Sequence, residues 1–140
     1  MASPPVSRAI RTRSAAGDLT VREVAEAVED VFGPGSTGAL DGRPGIARDE
    51  ARGCLVRSSL YLIVKQRLES DDAPVADAGL ERSRLSRAVR GDLARLLGVD
   101  ENEVFRLHHH AAGLRAKDPE YRDIARSIDH RLAKRHGMVV

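Results

Sequence analysis

The chain has 140 residues, which is enough for one domain. Hydrophobic residues make up 41% and charged residues 31%, so the chain can bury a core, while aromatic residues at 3% are scarcer than small β-sandwiches and barrels require. One cysteine excludes an internal disulfide framework, and neither a membrane-spanning apolar run nor the apolar stretch of a secretory signal is present. We therefore expect an all-α, soluble, cytoplasmic protein.

Residues 1–17 precede the first predicted helix and contain no acidic residue. They carry Arg8, Arg11 and Arg13 together with two prolines, and their apolar residues show no helical or strand periodicity. Such segments do not bury enough apolar surface to fold. We predict a disordered basic arm.

The first helix is predicted from the residues at its ends. Thr20 followed three residues later by Glu23 is the pattern of a capping box, and valine and alanine then recur at helical spacing up to Phe32. Gly33-Pro34-Gly35 predicts its end. Glycine and proline remain frequent up to residue 46, so a loop is expected there.

The most apolar segment predicts a long helix from about Arg48 to Leu68. Its C-terminal half is apolar on nearly every face, which is typical of a central, buried helix. An acidic connection, residues 69–79, leads to a predicted short helix, Leu80–Val89, with Leu80 facing inward.

Three further helices complete the predicted fold. One spans Asp92–Leu97, the next begins at Asp100 or Asn102 and runs through Leu114, and the last begins at Asp118-Pro119 and ends at Gly137. Residues 18–136 are thus expected to form a single domain of five to six helices without a sheet. The residues expected to be buried together are Leu60, Leu62, Val64, Leu93, Leu97, Val104, Ile124 and Ile128.

Residues 90–109 match the demands of a helix-turn-helix, in which two helices cross through a tight turn. Ala94 supplies the small residue at the crossing, and Gly98, four residues later, can adopt the positive φ that begins the turn. Asp100 or Asn102 can cap the second helix. Apolar residues fill the wedge positions: Leu93, Leu97, Val99, Val104 and Leu107. An ordinary helical hairpin uses similar residues and stays open as the alternative.

The exposed face of the second helix is predicted to carry Glu101, Asn102, Phe105, Arg106 and His109. Of these, Arg106 and Asn102 are predicted to contact base edges. A recognition helix lies in the major groove, where arginine pairs with guanine and asparagine with adenine. Asp100 and Glu103 add negative charge near the approaching phosphates, so affinity would depend on flanking arginines such as Arg90 and Arg95.

Enzymatic and metal-binding motifs are missing from the sequence. The chain has no GxSxG, P-loop or HExxH pattern, and side chains at His108, His109 and His110 would point about 100° apart on a helix, so they could not bind one metal. We expect no enzymatic activity, no cofactor and no metal.

The net charge of +2 is small, but its distribution is uneven. Basic and acidic segments alternate along the chain, so a fold could gather the basic segments on one face, as polyanion-binding proteins do. Helix surfaces of mixed charge would produce the same alternation.

Four segments follow one another as an opening helix, a long helix, a helix-turn-helix and a closing helix. They are Leu19–Val28, Asp49–Arg52 with Leu60-Tyr61-Leu62, Leu93–Val104, and Lys117–Arg122. In this order they resemble the DNA-binding C-terminal domain of the bacterial chromosomal replication initiator DnaA. The resemblance covers roughly residues 19–135 and implies a Trp-repressor/DnaA-C-terminal-like helical fold. Val99–Glu103 stands where the family has Gly-Gly-Arg-Asp-His-Thr-Thr.

The resemblance also implies a role for the basic loop, which in that family puts an arginine in the minor groove. The matching residues are Arg43, Arg48 and Arg52. Two functions follow: a small helix-turn-helix protein that binds double-stranded DNA as a regulator or accessory factor in replication or recombination, or a helical adaptor that binds a protein. The predicted DNA-contacting residues are Arg43, Arg48, Arg52, Arg90, Arg95, Asn102, Phe105, Arg106 and His109.

Overall fold

The structure, a computed structural model, describes residues 17–38, 46–70 and 78–140. These residues form five helices and no strand. The all-α prediction is confirmed. The helices are α1 (Val21–Phe32), α2 (Ile46–Ser70), α3 (Ala78–Leu97), α4 (Glu101–Lys117) and α5 (Pro119–Arg135). The predicted arm lies outside the described residues except for Gly17.

The predicted helix ends are confirmed at both ends of the domain. Thr20 caps α1, since its hydroxyl accepts a hydrogen bond from the Glu23 backbone N–H, and Gly33 with a φ of 113° ends that helix. Asp118 serves two helices at once: its backbone N–H donates to the Leu114 carbonyl at the end of α4, and its carboxylate caps α5. A single residue therefore separates α4 from α5.

The prediction of two short helices, Leu80–Val89 and Asp92–Leu97, is wrong. α3 runs continuously from Ala78 to Leu97 and passes through Gly91. A glycine inside a helix costs about 1 kcal/mol relative to alanine, but Val89 and Leu93 are buried on either side of it and stabilise the continuous helix. Leu80, predicted to face inward, is 75% exposed in the first turns of α3.

α2 lies at the centre of the domain and contacts each of the four other helices. The predicted core residues belong to one hydrophobic cluster: six are buried, while Leu60 and Ile124 are partly buried and pack against it. α2 approaches α4 closely at Gly53, where an added Cβ would lie 3.1 Å from both the Ala111 Cβ and the Leu107 carbonyl oxygen. In the described parts of the chain, no helix has the length and apolar character needed to cross a membrane.

Polar contacts tie the ends of the domain together. Ser58 Oγ on α2 donates to Asp129 Oδ1 on α5 at 2.6 Å, and Arg115 Nη2 on α4 donates to Asp129 Oδ2 at 3.2 Å. At the C-terminal end of α5, His136 Nε2 lies 2.9 Å from Glu23 Oε2, and His136 Nδ1 lies 3.1 Å from the Gly17 carbonyl oxygen. The start of α1 is thereby held against the end of α5.

Candidate nucleic-acid interface

The connection between α3 and α4 is short and has the conformation that the sequence predicts. Gly98 has a φ of 69°, which glycine adopts without steric cost. Its backbone N–H donates to the Arg95 carbonyl at 3.3 Å, and the Val99 N–H donates to the Ala94 carbonyl at 3.0 Å. These two bonds form a Schellman motif, which ends α3 and redirects the chain.

α4 begins immediately after this turn. The Asp100 carboxylate accepts a hydrogen bond from the Glu103 backbone N–H at 2.9 Å, so the Asp100 charge stabilises the start of the helix. The sequence left Asp100 and Asn102 open as the cap, and the structure assigns the role to Asp100. Asn102 is consequently exposed and available for other contacts.

Apolar side chains fix the two helices against each other. Four of the five wedge residues, Leu93, Leu97, Val104 and Leu107, have no exposed surface. Val99 and Ala94 are partly buried and pack against the same cluster. The inner face of α4 is thus held rigidly against the core, which determines which of its side chains face outward.

The outer face of α4 carries the five side chains that the sequence assigns to it. All five are exposed: Glu101, Asn102, Phe105, Arg106 and His109. Phe105 is a large apolar residue that is 44% exposed. Arg90 of α3 lies over it, with the guanidinium carbon 4.8 Å from the ring centroid, which is cation–π geometry. α3 and α4 therefore share one outer surface.

Arg106 is held by two carboxylates rather than projecting freely. Its Nη2 lies 2.5 Å from Glu103 Oε2 and 3.2 Å from Asp49 Oδ2 of α2. The hydrogen bond from Arg106 lowers the pKa of Glu103. The same hydrogen bond raises the pKa of Arg106, and the contact with Asp49 raises it further. The central candidate for base recognition is therefore already paired in the unbound protein.

The other predicted arginines differ in how the structure positions them. Arg95 is exposed in the last turn of α3 and forms an ion pair with Asp92. Arg52 is half-buried in α2, and its positive charge contributes to the lowered pKa of Glu103, so it lies near the start of α4. Arg43 and the side chain of Arg48 lie outside the described residues.

The three consecutive histidines do not share one environment. His109 is exposed and packs edge-on against His108 with ring centroids 5.9 Å apart, whereas His108 and His110 are partly buried. Burial, and then the positive charges of Arg57 and nearby groups, lower the pKa of His108. Within the described ranges, no three histidine, cysteine, aspartate or glutamate side chains are grouped as metal ligands would be.

Sequence reasoning missed two features of this surface. Glu103 and Arg106 are three residues apart, a spacing at which an ion pair on a helix can be predicted. Asp49 lies 57 residues away from Arg106, so its contact with Arg106 can be recognised only in the folded structure. The second feature is a groove lined by Arg57, Arg115 and Arg126, which come from three different helices. No local pattern joins these three positions.

No protein-family model, no curated protein and no solved structure matches the chain.

Proposed function

We propose that the chain is a small double-stranded DNA-binding protein that places α4 in the major groove and serves as a regulator or accessory factor in replication or recombination. One observation carries the proposal. The inner face of α4 is locked by Leu93, Leu97 and Leu107, while its outer face exposes Asn102 and Arg106 directly after a glycine turn. This is the placement that base recognition by a helix-turn-helix requires. With chromosomal DNA as partner, we expect the protein to act in the cytoplasm.

The pairing of Arg106 is compatible with base recognition. Half of its side chain is solvent-accessible, and so is about a third of Glu103 and of Asp49. Ion pairs at exposed sites contribute only about 0–1 kcal/mol, whereas a bidentate contact between arginine and guanine discriminates by about 1–3 kcal/mol. A guanine that presents its two acceptors can therefore displace the carboxylates.

Phosphate contacts would come from the arginines around α4. Arg90 and Arg95 lie on α3, with Arg90 over Phe105 of α4, and Arg52 of α2 lies near Glu103. Arg43 and Arg48 are proposed to contribute from the segment before and at the start of α2. Glu101 and Glu103 oppose these contacts, so we expect modest affinity that decreases steeply with salt.

The test begins by selecting duplexes from a random pool at about 50 mM salt, where non-specific contacts are strong. Affinity for the selected site and for an unrelated duplex is then measured by fluorescence anisotropy at two salt concentrations. Arg106→Ala is expected to cost about 1–3 kcal/mol on the selected site and to relax its sequence preference. Arg95→Ala is expected to weaken both duplexes alike and to reduce the salt slope by about one.

Arg22→Ala is the matched control, because Arg22 is an exposed α1 arginine without a hydrogen-bond or ion-pair partner among the described residues. It removes the same charge outside α3 and α4 and should change duplex affinity least. Absence of duplex binding at the lower salt concentration would refute the proposal.

A protein-binding adaptor is the second candidate, and one observation favours it. Phe105 is exposed beneath the guanidinium of Arg90, and aromatic residues and arginine are enriched at the centres of protein interfaces. Phe105→Ala separates the two functions. An adaptor would lose binding to its protein partner through this change. Duplex affinity would decrease only slightly, because Phe105 is one predicted contact among several arginines.

A further inference from the structure

A groove of about 380 Å³ lies where α2, α4 and α5 meet. Arg57 of α2, Arg115 of α4 and Arg126 of α5 line it together with His130. Arg115 is nine residues beyond Arg106, which corresponds to about 14 Å along the helix axis. The groove is therefore separate from the proposed DNA-binding face.

Positively charged side chains outnumber negatively charged ones in this groove, which Tyr61 and Val140 also line. Asp129 is the acidic side chain that lines it, and its carboxylate already accepts hydrogen bonds from Ser58 and Arg115. Neither Arg57 nor Arg126 has a hydrogen-bond or ion-pair partner in the parts of the chain that the structure describes. Arg57 instead lies over the Tyr61 ring, with its guanidinium carbon 5.7 Å from the ring centroid. Two guanidinium groups thus keep their hydrogen-bond donors available.

His108 lies close to two of the arginines that line the groove. Its pKa is lowered first by burial, and then by the charges of Arg57, His109, Arg115 and Arg90. The arginine charges that disfavour a further cation would attract an anion.

We propose that this groove binds the phosphate group of a small phosphomonoester. Guanidinium groups match phosphate oxygens in geometry and donate charge-assisted hydrogen bonds to them. The Arg115 side chain is only 17% exposed, and its Nη2 donates to Asp129 and Ser58, so this guanidinium is held in one position in the wall of the groove. The volume lies within the range of small-molecule sites, so the groove can accommodate more than the phosphate itself.

Ribose 5-phosphate and ribose form a matched pair of probes that differ by the phosphate group. Each is titrated calorimetrically into the full chain in chloride buffer at constant ionic strength. Ribose 5-phosphate is expected to bind saturably and ribose to give no signal.

Arg57→Gln and Arg126→Gln should each weaken binding about tenfold, as expected for the loss of a charge-assisted hydrogen bond. Both variants should retain the wild-type circular dichroism spectrum, because neither side chain has a hydrogen-bond or ion-pair partner among the described residues and the contact of Arg57 with Tyr61 lies at the surface of the groove.

Arg22→Gln, which removes an exposed arginine on α1, should bind ribose 5-phosphate like the wild type. An equal loss of affinity in this control would show a non-specific charge effect and overturn the proposal. The proposal is also overturned if the wild type shows no saturable binding of ribose 5-phosphate at about 10 mM. The double variant Arg57→Gln/Arg126→Gln should keep wild-type duplex affinity. Loss of duplex affinity in this variant, without binding of ribose 5-phosphate to the wild type, would assign the groove to the DNA backbone instead.

Discussion

Arg106 Nη2 and Asp49 Oδ2 lie 3.2 Å apart and join the first turn of α2 to the outer face of α4. Glu103 binds the same guanidinium from within α4. The residue best suited to read a base is therefore held in position by two carboxylates. In the proposed function, at least part of this arrangement would be exchanged for contacts with the duplex.

Glu103→Gln is expected to tighten duplex binding about two- to fivefold at low salt. The change removes a negative charge from the proposed DNA-binding surface and weakens an ion pair that is worth about 0–1 kcal/mol. Fluorescence anisotropy on one duplex, repeated at increasing salt, measures the effect. The gain should diminish as salt screens the charge.

Glu120→Gln provides the comparison, because it removes the same charge at the exposed start of α5. It should alter duplex affinity less than Glu103→Gln. Equal gains in both variants would mean that only the net charge matters and that Arg106 has no special role.

Gly98→Ala and Gly113→Ala are expected to shift stability in opposite directions. Gly98 has a φ of 69°, and this left-handed conformation costs a non-glycine residue about 1–2 kcal/mol. Gly113 lies inside α4, and nothing lies within 4 Å of an added Cβ. Alanine there should stabilise by about 0.5–1 kcal/mol. Urea unfolding of both variants measures the two differences, and stabilisation by Gly98→Ala would contradict the strained turn.

The features that the sequence predicted correctly depend on local physics. Thr20, Gly98 and Asp118 act through hydrogen bonds or dihedral angles within a few residues, so their roles can be recognised without the fold. The exposed face of α4 follows from the helical period in the same way. The break predicted near Gly91 is absent from α3. The local cost of a glycine inside a helix is smaller than the gain from burying Val89 and Leu93.

The features that the sequence could not give depend on distant residues. The pairing of Asp49 with Arg106 and the meeting of Arg57, Arg115 and Arg126 join helices that are far apart in the chain. Charge alternation suggested a basic surface, but side-chain pairing determines which arginines stay available. Arg106 is held by two carboxylates, whereas Arg126 has no carboxylate partner within the described ranges.

Stability should decrease between about pH 9 and pH 11 because of Cys54. This thiol is fully buried, and burial raises its pKa from 9.0 to about 11. The unfolded chain releases the thiol proton near pH 9, whereas the folded chain holds it up to about pH 11. The stabilisation is therefore complete below pH 9 and is lost as pH rises through this window, with a size of about 2–3 kcal/mol.

Cys54→Ala isolates this contribution, since it keeps Tyr121, whose pKa is also raised by burial. Unfolding in urea is measured for both proteins at about pH 8 and about pH 10.5. The wild type should lose more stability than the variant over this interval. A difference between the two proteins that stays constant with pH would show that the thiol does not remain protonated in the fold.

Asp129→Ala should destabilise the domain by about 2–4 kcal/mol. Asp129 is 5% exposed and accepts hydrogen bonds from Ser58 at 2.6 Å and from Arg115 at 3.2 Å. Its removal leaves the buried Ser58 hydroxyl without its acceptor, and the largely buried Arg115 guanidinium loses its carboxylate partner and keeps only the Ser58 Oγ as acceptor. This is more costly than the loss of an exposed ion pair. Asp129→Asn keeps one acceptor oxygen and should cost less. Urea unfolding ranks the stability of the wild type, Asp129→Ala and Asp129→Asn. If the alanine variant is as stable as the asparagine variant, these hydrogen bonds do not stabilise the packing of α5 on α2 and α4.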